Sequence, residues 1–187
     1  MRTFVALNLT PAERGRLHAA LEPVRMRGLP VRWLAADGLH LTLKFLGDIE
    51  GAEVARLDHA LRDVAARHSP VALRVGGLGA FPSIRRASIV WVGVQPDAPL
   101  MALQDDVELS LSRLGYTREL RLYRPHVTVG RVRAGARAPD VTRTLDHLNH
   151  ESTVIIDSLD LMRSHAAGDG SRYEPLLRHR LRAAVSA

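Results

Sequence analysis

The sequence predicts an α+β fold, a single domain of two lobes over residues 1–187 built from duplicated β/α units around a shared cleft. Three observations predict it. Extended apolar segments and amphipathic helical segments take turns along the chain. One short pattern occurs twice, as His40-Leu41-Thr42-Leu43 and His126-Val127-Thr128-Val129. The copies lie 86 residues apart (126 − 40), close to half of the 187-residue chain, and a helical pattern follows the strand in each case. Folding a chain of this size buries roughly 70% of its unfolded surface, enough for a substantial core.

Met1 to Leu9 reads as a first strand. Its apolar run is cut off by Thr10-Pro11-Ala12-Glu13, where a signal peptide would continue, so the protein is expected in the cytoplasm. Those four residues have the form of a capping box, with a hydroxyl N-cap, proline at the first helical position and Glu three residues on. A helix should start there along Leu17, Leu21 and Val24, with Pro23 kinking it or ending it early. The strand carrying His40 comes next. Val54, Leu57, Leu61 and Val64 mark a helix between Glu50 and Arg67, followed by extended stretches at Val71–Val75 and Ser88–Val94 with Gly76–Pro82 as a loop between them. Leu100, Leu103, Val107, Leu111 and Leu114 predict a third helix from Asp97, stopped by Gly115. After the strand carrying His126, Val141, Leu145 and Leu148 mark a short fourth helix behind Pro139, and strands near Thr153–Met162 and Tyr173–Leu181 close the chain.

Composition narrows the chemistry. With 46% apolar residues, no low-complexity tract and no run near the ~18 apolar residues of a membrane span, the chain reads as a soluble globular protein. It has no cysteine, which removes disulfides, thiolate zinc sites and cysteine nucleophiles. The net charge is +6, and Lys44 is the one lysine among 26 basic residues. Guanidinium forks bind phosphate bidentately, so an arginine excess suits a polyanion such as RNA. Arg118, Arg121, Arg124, Arg131, Arg133 and Arg137 bracket the second motif.

In a strand, side chains alternate faces, so each motif presents one imidazole and one hydroxyl on one side and aliphatic residues on the other. Two opposed histidines suit acid and base catalysis near neutral pH, one neutral to accept a proton and one charged to donate it. Displacement at phosphorus needs such a pair, because attacking and leaving oxygens lie roughly in line on opposite sides. Thr42 and Thr128 would hydrogen-bond the non-bridging phosphate oxygens. No cofactor and no metal is required. Neither motif holds a carboxylate at ligand spacing, and His147-Leu148-Asn149-His150 reads as the polar end of a helix.

On these motifs the chain resembles the two-histidine phosphoesterase superfamily, and within it the RNA 2′,3′-cyclic phosphodiesterases, also called bacterial 2′-5′ RNA ligases. Further likeness lies in Phe4-Val5-Ala6-Leu7, Lys44-Phe45-Leu46-Gly47, Phe81-Pro82, Arg124-Pro125, Gly130-Arg131, Ser158 to Ser164 and Tyr173. The resemblance implies antiparallel sheets around a central cleft and hydrolysis of RNA 2′,3′-cyclic phosphate ends to 2′-phosphates, tRNA halves among the substrates, by a monomeric enzyme. It implies His126 as proton acceptor, His40 as proton donor and Thr42 and Thr128 as phosphate holders. Valine in the second motif replaces the more usual leucine, a core-facing change.

Three further substrate contacts are candidates. Lys44 continues the His40–Thr42 face of its strand. Arg131 is the residue the resemblance implies, yet strict alternation from His126 puts it on the opposite face, and only a bulge at Gly130 would turn it inward. Tyr123 could stack a base. Alternatives to hydrolysis are 2′-5′ ligation in the same cleft, action on a small cyclic nucleotide, and RNA binding without catalysis. Ligation through a nucleotidyl-lysine lacks its Lys-x-Asp-Gly pattern, since the one lysine sits in Lys44-Phe45-Leu46-Gly47.

Overall fold

The alternating pattern is realised in a computed structural model of the chain, which describes residues 1–83, 86–133, 135, 150–167 and 170–182. β1 (Arg2–Asn8) leads into α1 (Pro11–Ala20), whose N-cap hydroxyl on Thr10 accepts the Glu13 amide at 3.2 Å. Pro23 has no amide hydrogen to continue the ladder, so α1 stops and a separate turn, α2 (Glu22–Arg25), takes Pro23 near its start. β2 (Val31–Trp33) and a 3₁₀ turn at Ala36–Gly38 precede β3 (His40–Asp48), which carries the first motif. Then come α3 (Glu53–Arg67), β4 (Val71–Phe81) and β5 (Ile89–Val94). α4 (Ala98–Ser112) is capped by the Asp97 carboxylate on the Leu100 amide at 3.1 Å. Gly115 follows with a φ of 95°, a conformation that favours glycine. β6 (His126–Val132) carries the second motif, and β7 (Glu151–Ile156), β8 (Ser158–Ala167) and β9 (Gly170–Arg180) complete the fold.

Two expectations need correction, and one falls outside the structure. Gly76–Phe81 is strand, not loop. Its glycines serve close packing: a Cβ on Gly79 would sit 2.1 Å from the Trp91 ring, so the bare backbone is what lets that ring lie across the sheet. The single strand expected near Thr153–Met162 is two, parted at Asp157, because β7 pairs with β4 whereas β8 pairs with β1. The helix expected behind Pro139 lies outside the described residues.

The strands form one sheet in the order β7-β4-β5-β6-β3-β1-β8-β9, with β2 beside β6, and its strand pairs are antiparallel. The midpoint is the β3–β6 pair, joined at Leu41 opposite Val127. Outward from it the two halves repeat a register. On one side Asn8, Leu7, Ala6, Val5 and Phe4 face His40, Leu41, Thr42, Lys44 and Phe45; on the other Gly93, Val92, Trp91, Val90 and Ile89 face His126, Val127, Thr128, Gly130 and Arg131. Each set skips one residue, Leu43 or Val129, as a bulge. The duplication inferred from the motif spacing is therefore a duplication of hydrogen-bond register.

One face of both halves is the core. Leu7, Leu41, Val92 and Val127 are fully buried there with Leu57, Leu61, Leu100, Leu103 and Leu111 of α3 and α4. Truncating any such leucine to Ala costs about 2–5 kcal/mol. The helices also tie the halves together. The carboxylate of Glu13 on α1 accepts bonds from the Ser152 hydroxyl of β7 and the His150 ring, while that of Glu108 on α4 takes the Lys44 ammonium of β3 at 2.7 Å. A second, small apolar cluster of Phe4, Ala6 and Met162, with Tyr173 against it, lies on the opposite face of the first half.

Candidate active site

Because Leu41 and Val127 point into the core, alternation sends His40, Thr42, His126 and Thr128 to the other face. Antiparallel pairing then sets His40 beside Thr128 and Thr42 beside His126. The two histidines are diagonal neighbours across the seam, a relation that spaces strand residues about 7–8 Å apart. The geometry thus unites the four residues read from the two motifs.

Each imidazole is held the same way. His40 Nδ1 donates to the Gly38 carbonyl at 2.8 Å, and His126 Nδ1 donates to the Arg124 carbonyl at 2.7 Å. A carbonyl only accepts, so Nδ1 carries hydrogen in both rings and Nε2 is the nitrogen left to accept. Burial pushes His40 down to about 4 against the opposing Gly38 bond, with the Arg14 and His126 charges adding to the fall. Burial likewise lowers His126 below 6.5, opposed by the Arg124 carbonyl. Burial thus favours the neutral form of both rings in the free protein.

The bulges decide the neighbouring candidates. Beyond Thr128 the extra residue Val129 puts both Val129 and Gly130 inward, and Arg131 returns, exposed, to the His126 face. That is the bulge that strict alternation lacked. The matching bulge at Leu43 has the reverse effect on Lys44, which turns inward, 5% exposed, and bonds Glu108 and the Thr117 carbonyl, each at 2.7 Å. Lys44 is a structural pin and not a phosphate ligand. Its place on the site face goes to Phe45, 75% exposed, which the sequence reading missed. Tyr123 has a structural role that the sequence reading did not give it: its hydroxyl donates to the Thr42 carbonyl at 2.8 Å and its partly buried ring packs on the core, so it braces the strand of the first motif. Burial raises its phenol well above the usual range.

The two rings sit in different company. His40 stacks on Phe4 at 4.8 Å between centroids and meets the edge of Tyr173 at 4.9 Å. Beside it runs a polar chain in which Arg14 donates to Asn8 Oδ1 at 2.8 Å and to the Leu39 carbonyl at 3.1 Å. Asn8 in turn donates to the fully buried Asp160 at 2.6 Å, which Arg178 clamps from Nε and Nη2. His126 meets the edge of Phe81 at 4.8 Å and lies 6.2 Å from the Trp91 ring, over the glycine floor of Gly93 and Gly76. None of these partners is signalled by local sequence, because each depends on cross-strand register. Arg118 is paired with Asp105 at 2.6 Å, and Arg137 lies outside the described residues.

A sheet of two register-matched halves, each presenting to one seam a threonine hydroxyl and a histidine whose Nε2 bonds no described residue, is the architecture of the two-histidine phosphoesterases. Comparison with known proteins specifies the branch. The family model described as the 2′-5′ RNA ligase superfamily matches residues 14–168, and the chain belongs to that family. It is similar to an RNA 2′,3′-cyclic phosphodiesterase of Methanothermobacter thermautotrophicus, 26% identical over 175 residues that cover 92% of this chain and 95% of the relative. A protein of the same name from Archaeoglobus fulgidus is 32% identical over 145 residues, 76% of this chain and 80% of the relative. Among solved structures, E. coli LigT complexed with 3′-AMP matches with a TM-score of 0.80 at 26% identity, covering 96% of this chain and 97% of that one.

Proposed function

We propose that the protein hydrolyses RNA 2′,3′-cyclic phosphate ends to 2′-phosphates, with the cyclic phosphate held between His40 and His126. The observation that carries this is the matched pair of imidazoles, each tethered at Nδ1 and each offering Nε2 from its own side of one seam. The curated relatives named for this activity support the choice of substrate.

In the proposed reaction His126 Nε2 takes a proton from water as the water oxygen bonds to phosphorus. The bond from phosphorus to the 3′ oxygen breaks, and His40, charged in the presence of the phosphate anion, gives its Nε2 proton to that oxygen. One water is consumed, the 2′ ester survives, and solvent exchange resets the two rings. Thr42 and Thr128 donate to the non-bridging oxygens, and Arg131 contacts the substrate from the end of the second motif. Strand hydroxyls fixed by the sheet need no reorganisation as charge builds up. On this reading the enzyme works as a cytoplasmic monomer on RNA ends, tRNA halves among them.

The test is incubation of the purified protein, without metal or nucleoside triphosphate, with an RNA oligonucleotide ending in a 2′,3′-cyclic phosphate. The expected product is a 2′-phosphate, formed by the wild type and far more slowly by His40→Ala or His126→Ala. A 3′-phosphate, or equal turnover by either variant, refutes the scheme. The family's name supports a second reading, 2′-5′ ligation by the reverse reaction. Added RNA with a 5′-hydroxyl reports it as a joined product.

A further inference from the structure

β2 lies against β6 just past the second motif, and its register sets Arg32 directly opposite Arg131, with Val31 opposite Val132 and Trp33 opposite Gly130. Directly paired residues share a face, so the bulge that returns Arg131 to the His126 side brings Arg32 there as well. Both arginines are exposed. Like charges facing each other across two strands repel, and an anion between them reverses the sign of the interaction. The third member of the row, Ile89 opposite Arg131 on β5, supplies no countercharge.

The pair is held firmly. Gly130 carries no side chain because β2 crosses there at close range: a Cβ would come within 2.5 Å of Val31 and 3.1 Å of the Trp33 ring. The Leu34 amide donates to the Val129 carbonyl at 2.9 Å and the Arg133 amide to the Pro30 carbonyl at 2.8 Å, which clamps β2 to β6 at both ends. With the bulge counted once, Arg131 stands two strand steps from Thr128, roughly 6.6 Å. Neighbouring phosphates of a polynucleotide are separated by a similar distance.

We propose that Arg32 and Arg131 together bind the phosphodiester on the 5′ side of the reacting nucleotide, so that the enzyme prefers oligonucleotide ends to cyclic mononucleotides. This rests on the hydrolase reading above and adds the substrate class. A cyclic mononucleotide has no phosphodiester to offer the pair, whereas any longer RNA end has one. The main competing route for the strand is a cavity of about 620 Å³ on the far side of His126, lined by Arg74, Gln95, Glu151 and Thr153 over Gly76 and Gly93. That cavity mixes a carboxylate with its one guanidinium, whereas the Arg32–Arg131 row is of single sign and suits a polyanion better.

The experiment compares kcat/KM for a dinucleotide and a mononucleotide, each ending in a 2′,3′-cyclic phosphate, in the wild type, Arg32→Glu, Arg32→Lys and Thr153→Trp. The wild type is expected to favour the dinucleotide at least tenfold. Arg32→Glu removes that preference with mononucleotide turnover unchanged, Arg32→Lys keeps part of it because one ammonium replaces a two-pronged donor, and Thr153→Trp keeps all of it. For the dinucleotide, the slope of log kcat/KM against log salt falls by about 0.7 in Arg32→Glu, as for one lost phosphate contact on a single strand. The proposal is overturned by a wild type without preference, by a preference that survives Arg32→Glu, by equal loss on both substrates, or by a preference lost only in Thr153→Trp. Failure of the hydrolase reading looks different: the wild type turns over neither substrate.

Discussion

The two halves of the sheet share a register and differ in what stands on it. At each shared position the pair of residues can be read off: His40 with His126, Thr42 with Thr128, Lys44 with Gly130, Phe45 with Arg131, Asn8 with Gly93. The first two pairs are identical, and they are the ones the proposed chemistry requires on both sides of phosphorus. The remaining pairs are unlike. The first half fills its row beside the histidine with a hydrogen-bonded Asn8, Asp160 and Arg178, whereas the second leaves glycines there. Backbone duplication thus supplies two opposed imidazoles, and side-chain divergence makes one side unlike the other. A symmetric site would bind a substrate in two orientations; this one has an aromatic rim at Phe45 and a cationic rim at Arg131.

The largest effects should come from the histidines, and they also test whether the halves have separate roles. Alanine at either position is expected to lower kcat by ~10²–10⁴, the usual loss of a general acid or base. A substrate with sulfur in place of the 3′ bridging oxygen leaves without protonation, so His40→Ala should recover most of its loss on it and His126→Ala none. Recovery by the other variant would exchange the two roles, and recovery by neither would remove proton donation from the rate-limiting step.

Next in size is the contrast between Lys44 and Gly130. Lys44 and Glu108 form a buried ion pair, their side chains 4% and 5% exposed. Removing one partner strands the other charge, so Lys44→Ala should cost about 3–5 kcal/mol in denaturant unfolding. Lys44→Met with Glu108→Leu should recover part of this, because Thr117 and Glu119 still lose their bonds to the pair. At the matching position Gly130→Ala overpacks against Val31, at about 1–3 kcal/mol. If Lys44→Ala is as stable as wild type, the lysine is no pin.

Burial of the two rings fixes the direction of the pH dependence. The proposed reaction needs one histidine charged and one neutral, and burial holds both below 6.5 in the free protein, His40 at about 4. The maximum of kcat/KM should therefore fall below pH 6.5, with about a tenfold loss per unit above it as the donor empties. An optimum above pH 7 contradicts the burial of the pair. Stability follows the same groups: the unfolded chain binds protons at His40 more readily between about 4 and 6.5, so stability is complete above that window and declines as pH falls through it. A His40→Gln variant should show a shallower decline of Tm over that range.

How much of this was legible beforehand divides along the same line. The motif, its 86-residue repeat (126 − 40), the capping box at Thr10 and the apolar stripes from Leu17 to Leu114 are local or periodic signals, and the corresponding elements formed where they pointed. The errors arose where a single extra residue or a distant neighbour decides. Strict alternation put Lys44 on the site face and Arg131 off it, and one bulge in each half reverses both. Bulges leave only weak marks in sequence, a glycine at 130 and none at 43 or 44. Gly76, Gly77 and Gly79 looked like a loop because the ring that needs Gly79 bare is twelve residues away, at Trp91 (91 − 79). The polar chain from Arg14 to Arg178 spans nearly the whole sequence and exists only once β1, β3, β8 and β9 are in register.

The smallest expected effect concerns the brace between the halves. The stretch before the second motif runs along β3, with the Thr117 carbonyl on Lys44 and the Tyr123 hydroxyl on the carbonyl of Thr42. Tyr123→Phe deletes one hydrogen bond and keeps the ring in the core, so stability should fall by only about 0.5–1.5 kcal/mol. The Thr42 carbonyl belongs to the first motif, whereas Thr128 has no such tyrosine among the described residues. If the brace matters for positioning, Tyr123→Phe should lower kcat a few-fold with KM unchanged, and the loss should persist well below the melting temperature. A variant with wild-type kcat and the stability loss alone would confine Tyr123 to holding the fold. A rise in KM without change in kcat would instead return it to the substrate surface and undo the reassignment made from its hydrogen bond.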